Sequence, residues 1–191
     1  MAIKITDTKV VHDGWGKFLI ATIRLEDGQT VTREIEDHGH AVGVLAYDPT
    51  RRTAILVKQF RAPMLYANGI DHTLEVIAGG RQGNDPVACI RREALEEAGL
   101  RLGGLEHVIT GMNMPGVSTM CIDLYLAAYQ KDDFVSAGGG VPDEREDIEI
   151  VEMKLSELAR MLELGAPVDL STAMLVQTLR LRRPELFSEA A

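Results

Sequence analysis

The sequence predicts an α/β or α+β fold built on a mixed sheet and preceded by a small antiparallel β-domain. Three observations predict it. Apolar and polar residues alternate from Ile3 to about Glu36, as in a half-buried strand pair; a second series of short apolar runs starts at Ala41; and one well-capped helix is bounded by Asp85 and Gly99. Strands and helices interleave without the regular βαβ spacing of a doubly wound sheet. The boundary is placed between residues 40 and 41, giving a β-domain over 1–40 and a main domain over 41–191.

In the first segment, Lys17 to Leu25 alternates, Asp27-Gly28 marks a hairpin, and Thr30 to Ile35 alternates again. Such a sheet is too small to be stable alone. The main sheet is expected to begin with Ala41–Tyr47, to turn at Asp48-Pro49, and to return through Thr53–Phe60, with a further short strand over Thr73–Ile77. Asp85 can accept the free amides of a first helical turn and Pro86 suits the first helical position, so a helix is predicted from there to Gly99, with Val87, Ile90, Ala94 and Leu95 inward. Strands follow at Glu106–Thr110 and Met120–Tyr129. Gly138-Gly139-Gly140 opens a loop carrying Asp143, Glu144, Arg145, Glu146 and Asp147, read either as a flexible turn or as a means of closing that loop over a substrate. Ile148–Met153 resumes alternation, and Ser156 and Ser171 are candidate caps of two closing helices.

Composition narrows the function classes. The 191 residues are 46% hydrophobic and 26% charged, as in an ordinary globular protein. A net charge of -9 argues against nucleic-acid binding, which needs a concentrated basic face. The apolar runs Ala41–Ala46 and Ile122–Ala128 are too short to span a bilayer, and the N-terminus has no basic-then-apolar pattern, so a cytoplasmic location with no membrane partner is expected. Cys89 and Cys121 have no metal-type spacing and are expected to be reduced. His38 and His40 lack a nearby third ligand and read as loop histidines, while Met112, Met114 and Met120 read as packing or a pliable pocket edge.

The chemistry centres on Arg92-Glu93-Ala94-Leu95-Glu96-Glu97-Ala98-Gly99-Leu100. Glu93 and Glu97 stand four apart on a helix, with Glu96 three from Glu93, so three anions crowd together; Arg92 can pair with Glu96 at the i,i+4 spacing. A solvated charged face explains the run, and so does a divalent cation. Oxygen-only ligation would suit magnesium or manganese rather than zinc. Ala78-Gly79-Gly80 just before the helix offers bare backbone to a phosphate or metal.

Taken together, Gly79 to Leu100 resembles the signature box of the Nudix hydrolase superfamily, matching its second half through Arg92, Glu93, Glu96, Glu97 and Gly99. The first half departs, with Asn84 where the family has an earlier glutamate and a glycine-to-Asn84 gap one residue short. Ala78-Gly79, Cys89 to Ala94, and Ala137 to Val141 look like the bacterial GDP-mannose pyrophosphatase branch, with a likeness running from the N-terminal sheet to about Leu179. That resemblance implies a Nudix α/β/α sandwich behind the small β-domain. It also implies a homodimer in which the β-domain reaches the neighbouring subunit's site.

For metal (Mg2+, with Mn2+ possible), the resemblance points to the backbone carbonyl of Ala78 with Glu93, Glu97 and Glu146; Glu144 and Asp147 are near enough in sequence to replace Glu146. Catalysis falls to Glu93, Glu97 and Glu146, the last as general base or third ligand. For substrate it points to Arg61, Ala78, Glu97 and Glu146, with Arg33, Glu34 and Trp15 holding the nucleotide, Trp15 by stacking or else by packing its own sheet. Ser171 stands where the branch carries a lysine. The implied activity is hydrolysis of GDP-mannose, or a close nucleotide sugar, to GMP and mannose 1-phosphate. Two alternatives stay open: an ADP-ribose pyrophosphatase, and a non-catalytic nucleotide-sugar sensor.

Overall fold

The computed structural model describes residues 2–81, 83, 85–141 and 147–188. It divides into two units, Met1–His40 with Gly111–Ile122, and Ala41–Thr110 with Asp123–Ala191.

The first unit is a three-stranded antiparallel sheet of β1 (Lys4–Asp13), β2 (Lys17–Arg24) and β3 (Thr30–Asp37), in that order. The hairpin at Asp27-Gly28 is longer than two residues: the Leu25 N–H donates to the Gln29 carbonyl at 2.8 Å, and Asp27 Oδ1 accepts the Gln29 N–H at 2.9 Å. Gly28 supplies the left-handed backbone there, at φ 85°. Residues 111–122 join this unit through backbone, with the Glu36 N–H donating to the Val117 carbonyl and the Thr119 N–H to the Glu36 carbonyl. β1 is exposed along its whole length, and Ala21 is the one fully buried residue of the three strands.

In the second unit, a seven-stranded sheet runs β10 (Glu149–Lys154), β5 (Thr53–Phe60), β4 (Ala41–Asp48), β9 (Cys121–Ala128), β8 (Glu106–Met112), with β6 (His72–Glu75) on β5 and β7 (Ile77–Gly80) on β4. Strand alternation sends Val42, Val44, Ala46, Ile55 and Val57 into one core with Cys89, Ile90, Ala94 and Ala98 of helix α2 (Pro86–Ala98). The intervening Leu45, Leu56, Leu124 and Leu126 are buried too, as are Leu155 and Leu158 of α3 (Leu155–Glu163) and Leu175 and Leu179 of α4 (Leu170–Arg182). A mixed sheet between helices is the fold class the sequence indicates. No helix among the described residues is long and apolar enough to cross a membrane.

Several local expectations need correction. The single strand over Thr73–Ile77 is two strands, because at Val76 the chain changes ladder partner: Glu75 faces Val57 of β5, and Ile77 faces Val44 of β4. β4 and β5 pair only at Ala46–Asp48 and Thr53–Ile55, and β6 and β7 fill the opening beyond. A short helix, α1 (Ala62–Asn68), was not foreseen; it buries no residue and so lacks an amphipathic pattern, although Pro63 and Gly69 frame it. Leu95 is 42% exposed rather than inward. The closing helices are capped at Lys154 and Asp169, not at Ser156 and Ser171. The Asp169 carboxylate accepts the Ser171 and Thr172 N–H groups, which a serine two residues inside the helix cannot do for its own first turn.

The triple glycine is hydrogen-bonded to the end of α2. The Gly139 N–H donates to the Glu97 carbonyl at 2.8 Å and the Gly140 N–H to the Glu96 carbonyl at 3.0 Å, satisfying two of the carbonyls that a helix C-terminus leaves open. Gly138 has φ 65°, and a Cβ there would stand 2.7 Å from Ala98 and Glu97 backbone. The close approach of loop and helix therefore requires glycine.

Candidate active site

Helix α2 places its glutamates by arithmetic. Cys89, Glu93 and Glu97 form one row at spacing four, and Ile90, Ala94 and Ala98 form the adjacent row; all six are buried. Burying the apolar row against β4 and β7 carries Glu93 and Glu97 inward beside it, leaving them 9% and 3% exposed. Arg92 remains exposed and pairs with both Glu93 and Glu96. The acidic run is therefore divided: Glu96 belongs to the helix exterior, while Glu93 and Glu97 face the sheet.

The strand opposite is shaped to receive them. A Cβ on Gly79 would lie 2.1 Å from Glu93 Cδ and 2.2 and 2.6 Å from its two oxygens, so the Glu93 carboxylate occupies space that only glycine leaves open. The Ala78 N–H donates to Glu97 Oε2 at 3.2 Å. Ala78, Gly79, Glu93 and Glu97 are thus brought together.

Arg61, at the end of β5, is clamped by Glu75: its Nε donates to Oε1 at 2.8 Å and its Nη2 to Oε2 at 2.6 Å. Thr73 Oγ1 also donates to Glu75. These hydrogen bonds outweigh the opposing effect of burial and hold Arg61 more firmly protonated than usual, and the charges of Glu75, Glu97 and Asp169 act in the same direction. The clamp uses two of the five guanidinium N–H groups, leaving Nη1 and the second Nη2 hydrogen for an anion. Burial pushes the Asp169 carboxyl above its ordinary value and the Glu75 charge adds to this, against the lowering hydrogen bonds from Thr172 and Ser171.

Glu75, Thr73, Asp169 and Thr172 were missed by reading the sequence. The available signal was weak: the alternation of Thr73 and Glu75 puts both on one strand face, but nothing local ties that face to Arg61 fourteen residues earlier. Ser171, where the branch carries lysine, is buried with its N–H on Asp169.

Trp15, Arg33 and Glu34 belong to the first unit. Trp15 lies between β1 and β2, 91% exposed, with its ring 4.6 Å from that of His38. His38 is fixed through Nε2 on Glu36 Oε1, 2.5 Å away, and a Cβ on Gly16 would collide with its ring. Glu36 thus holds one ring nitrogen of His38. Arg33 and Glu34 are both exposed on β3, but as consecutive strand residues they project from opposite faces.

Two buried carboxylates side by side repel, and a hard divalent cation relieves that repulsion; an all-oxygen set drawn from Glu93, Glu97 and the Ala78 carbonyl has the donor chemistry of Mg2+ or Mn2+. Among the described residues no group of three or more His, Cys, Asp and Glu side chains could hold a metal by itself. Glu146, expected as the further ligand or base, lies outside the described residues, as do Asn84 and Glu144.

Residues 37–171 match the NUDIX domain, more than half of the chain. A GDP-mannose pyrophosphatase of Cronobacter sakazakii (strain ATCC BAA-894) is 36% identical over 160 residues, covering 82% of this chain and 83% of that protein. A GDP-mannose pyrophosphatase of Escherichia coli O157:H7 is 33% identical over 184 residues, covering 94% and 95%. A crystal structure of an ADP compounds hydrolase superposes with a TM-score of 0.73 at 15% identity over 97% of this chain and 96% of that one, a likeness of fold. With the glutamate pair of α2 buried against a glycine strand and the domain match extending across both, this chain belongs to the Nudix hydrolase family.

Proposed function

We propose that this protein hydrolyses the diphosphate of a nucleotide sugar with Mg2+, GDP-mannose being the first candidate, to GMP and mannose 1-phosphate. The observation that carries the reaction class is the burial of Glu93 and Glu97 together against Ala78-Gly79. The relatives named GDP-mannose pyrophosphatase, aligned over most of both chains, carry the substrate.

In this reading Glu93, Glu97 and the Ala78 carbonyl hold the cation, with Glu146 as a further ligand or as the base that takes the proton of the attacking water. The bound cation supplies phosphoryl polarisation and a lowered water pKa. Arg61 binds the diphosphate through the N–H groups that Glu75 leaves available, and Glu75 keeps the guanidinium plane from turning away. A cation at this point is needed because the chain carries -9 overall and the substrate is itself an anion. Trp15 stacks on the base from its His38 support, with Arg33 or Glu34 adding a polar contact. A substrate panel with Mg2+ tests the assignment: GDP-mannose should turn over fastest, with GMP and mannose 1-phosphate as products. ADP-ribose faster by orders of magnitude would replace the substrate, and binding of GDP-mannose without turnover of any member would indicate a sensor.

We also propose a homodimer in which the first unit completes the neighbouring site. Its support is the apolar side chains left exposed along β1 and just before it, with Ile3 61%, Ile5 58%, Val10 48% and Val11 53% exposed in a single chain. Light scattering after size exclusion should give twice the 20.9 kDa chain mass; a monomer at micromolar concentration would remove the shared site.

A further inference from the structure

Val76 stands at the one step where the chain leaves the β5 ladder and joins that of β4. A backbone amide at such a step has no strand to pair with, and buried amides need a partner. Val76 is 1% exposed, and its N–H donates to Thr172 Oγ1 at 2.8 Å across 96 positions of sequence. Thr172 is itself fully buried, and its hydroxyl hydrogen goes to Asp169 Oδ2. With that hydrogen committed, a hydroxyl lone pair faces Val76. Asp169 is held in turn as the cap of α4.

The peptide unit fixed in this way joins Glu75 to Val76. Its acid side chain clamps Arg61, and two residues further on is Ala78. We propose that Thr172, oriented by Asp169, is a positioning residue for the active-site strand, setting the height of the Glu75–Ala78 segment against Glu93 and Glu97 and hence the affinity of the site for its cation. Neither residue is among those proposed to hold the cation. The inference rests on the proposed metal site and adds to it the residues that hold its backbone side in place. Groups hydrogen-bonded directly to metal ligands change metal affinity by roughly tenfold to a hundredfold, and Thr172, acting through the backbone two residues from Ala78, is expected at the lower end of that range.

The test is direct binding of Mn2+, followed by electron paramagnetic resonance of the free ion, in the full chain without substrate. Thr172→Val, which keeps shape and removes the hydroxyl, should weaken Mn2+ binding by roughly tenfold, while Thr172→Ser, which retains the hydroxyl, should stay within about twofold of the wild type. Affinity within twofold in Thr172→Val overturns the inference, and so does equal weakening in Thr172→Val and Thr172→Ser, which would implicate the methyl group. Should Thr172→Val fail to fold, Asp169→Asn, which keeps a good helix cap, is titrated in its place under the same criterion. Glu97→Gln separates the two levels: loss of Mn2+ binding there with none in Thr172→Val rejects the positioning role alone, whereas unchanged binding in Glu97→Gln rejects the metal site beneath it.

Discussion

Replacing Glu97 by Gln is expected to lower kcat by about a thousandfold or more while leaving the protein folded. The size follows from removing one charged oxygen ligand from a centre that contributes several kcal/mol of charge stabilisation, about 4 kcal/mol being a thousandfold. The stability expectation has a separate origin. Glu97 is 3% exposed and its charge attracts the Arg61 guanidinium; Gln relieves the burial of the charge, gives up that attraction and keeps an oxygen to accept the Ala78 N–H, so the opposing effects leave the fold in place. Thermal unfolding in a chelator and steady-state turnover with Mg2+ measure the two effects independently. A melting temperature near that of the wild type as turnover disappears identifies a carboxylate that serves the reaction rather than the fold. Unchanged turnover would remove α2 from the mechanism.

Helix α2 shows how much of this site was legible in the sequence and where legibility ended. The cap at Asp85, the stop at Gly99 and the Arg92–Glu96 pair are local features, set by residues within a turn or two of each other, and the structure contains all three. Which glutamates face inward is not local. Leu95 is expected inward from the apolar spacing of the helix, yet the row of Cys89, Glu93 and Glu97 is buried and Leu95 is not, because the face that packs on β4 and β7 is centred on Ile90, Ala94 and Ala98. The Arg61–Glu75 clamp, the Thr172–Val76 bond and the seam between residues 111–122 and β3 are likewise pairings between distant positions, where no periodicity connects the partners. In the same way the split of one expected strand into β6 and β7 depends on the divergence of β4 from β5, which neither strand's own sequence encodes.

Gly79→Ala should cost far more activity than stability without altering a carboxylate. Gly79 lies in a strand, at a backbone conformation alanine adopts freely, and the nearest obstacle to its methyl group is the Glu93 carboxylate, 2.1 Å from the Cβ position at its nearest atom. That obstacle is the far end of a flexible side chain and can rotate away. The displaced rotamer costs about 1 kcal/mol and the part-exposed Arg92–Glu93 pair up to about 1 kcal/mol more, a fall of at least roughly 2 °C in melting temperature for a chain of this size, with any other contact of Glu93 adding to it. Turnover should fall at least hundredfold, because a ligand moved by about an ångström no longer meets the geometry the reaction needs. Gly80→Ala is the matched control for stability: among the described residues its Cβ would meet nothing within 4 Å, and the melting temperature should stay near wild type. If Gly79 acts only through Glu93, adding Gly79→Ala to Glu93→Gln should cost little further activity, since both remove the same interaction. Full additivity of the two losses would mean that Gly79 serves the site by another route, its bare backbone meeting the substrate itself.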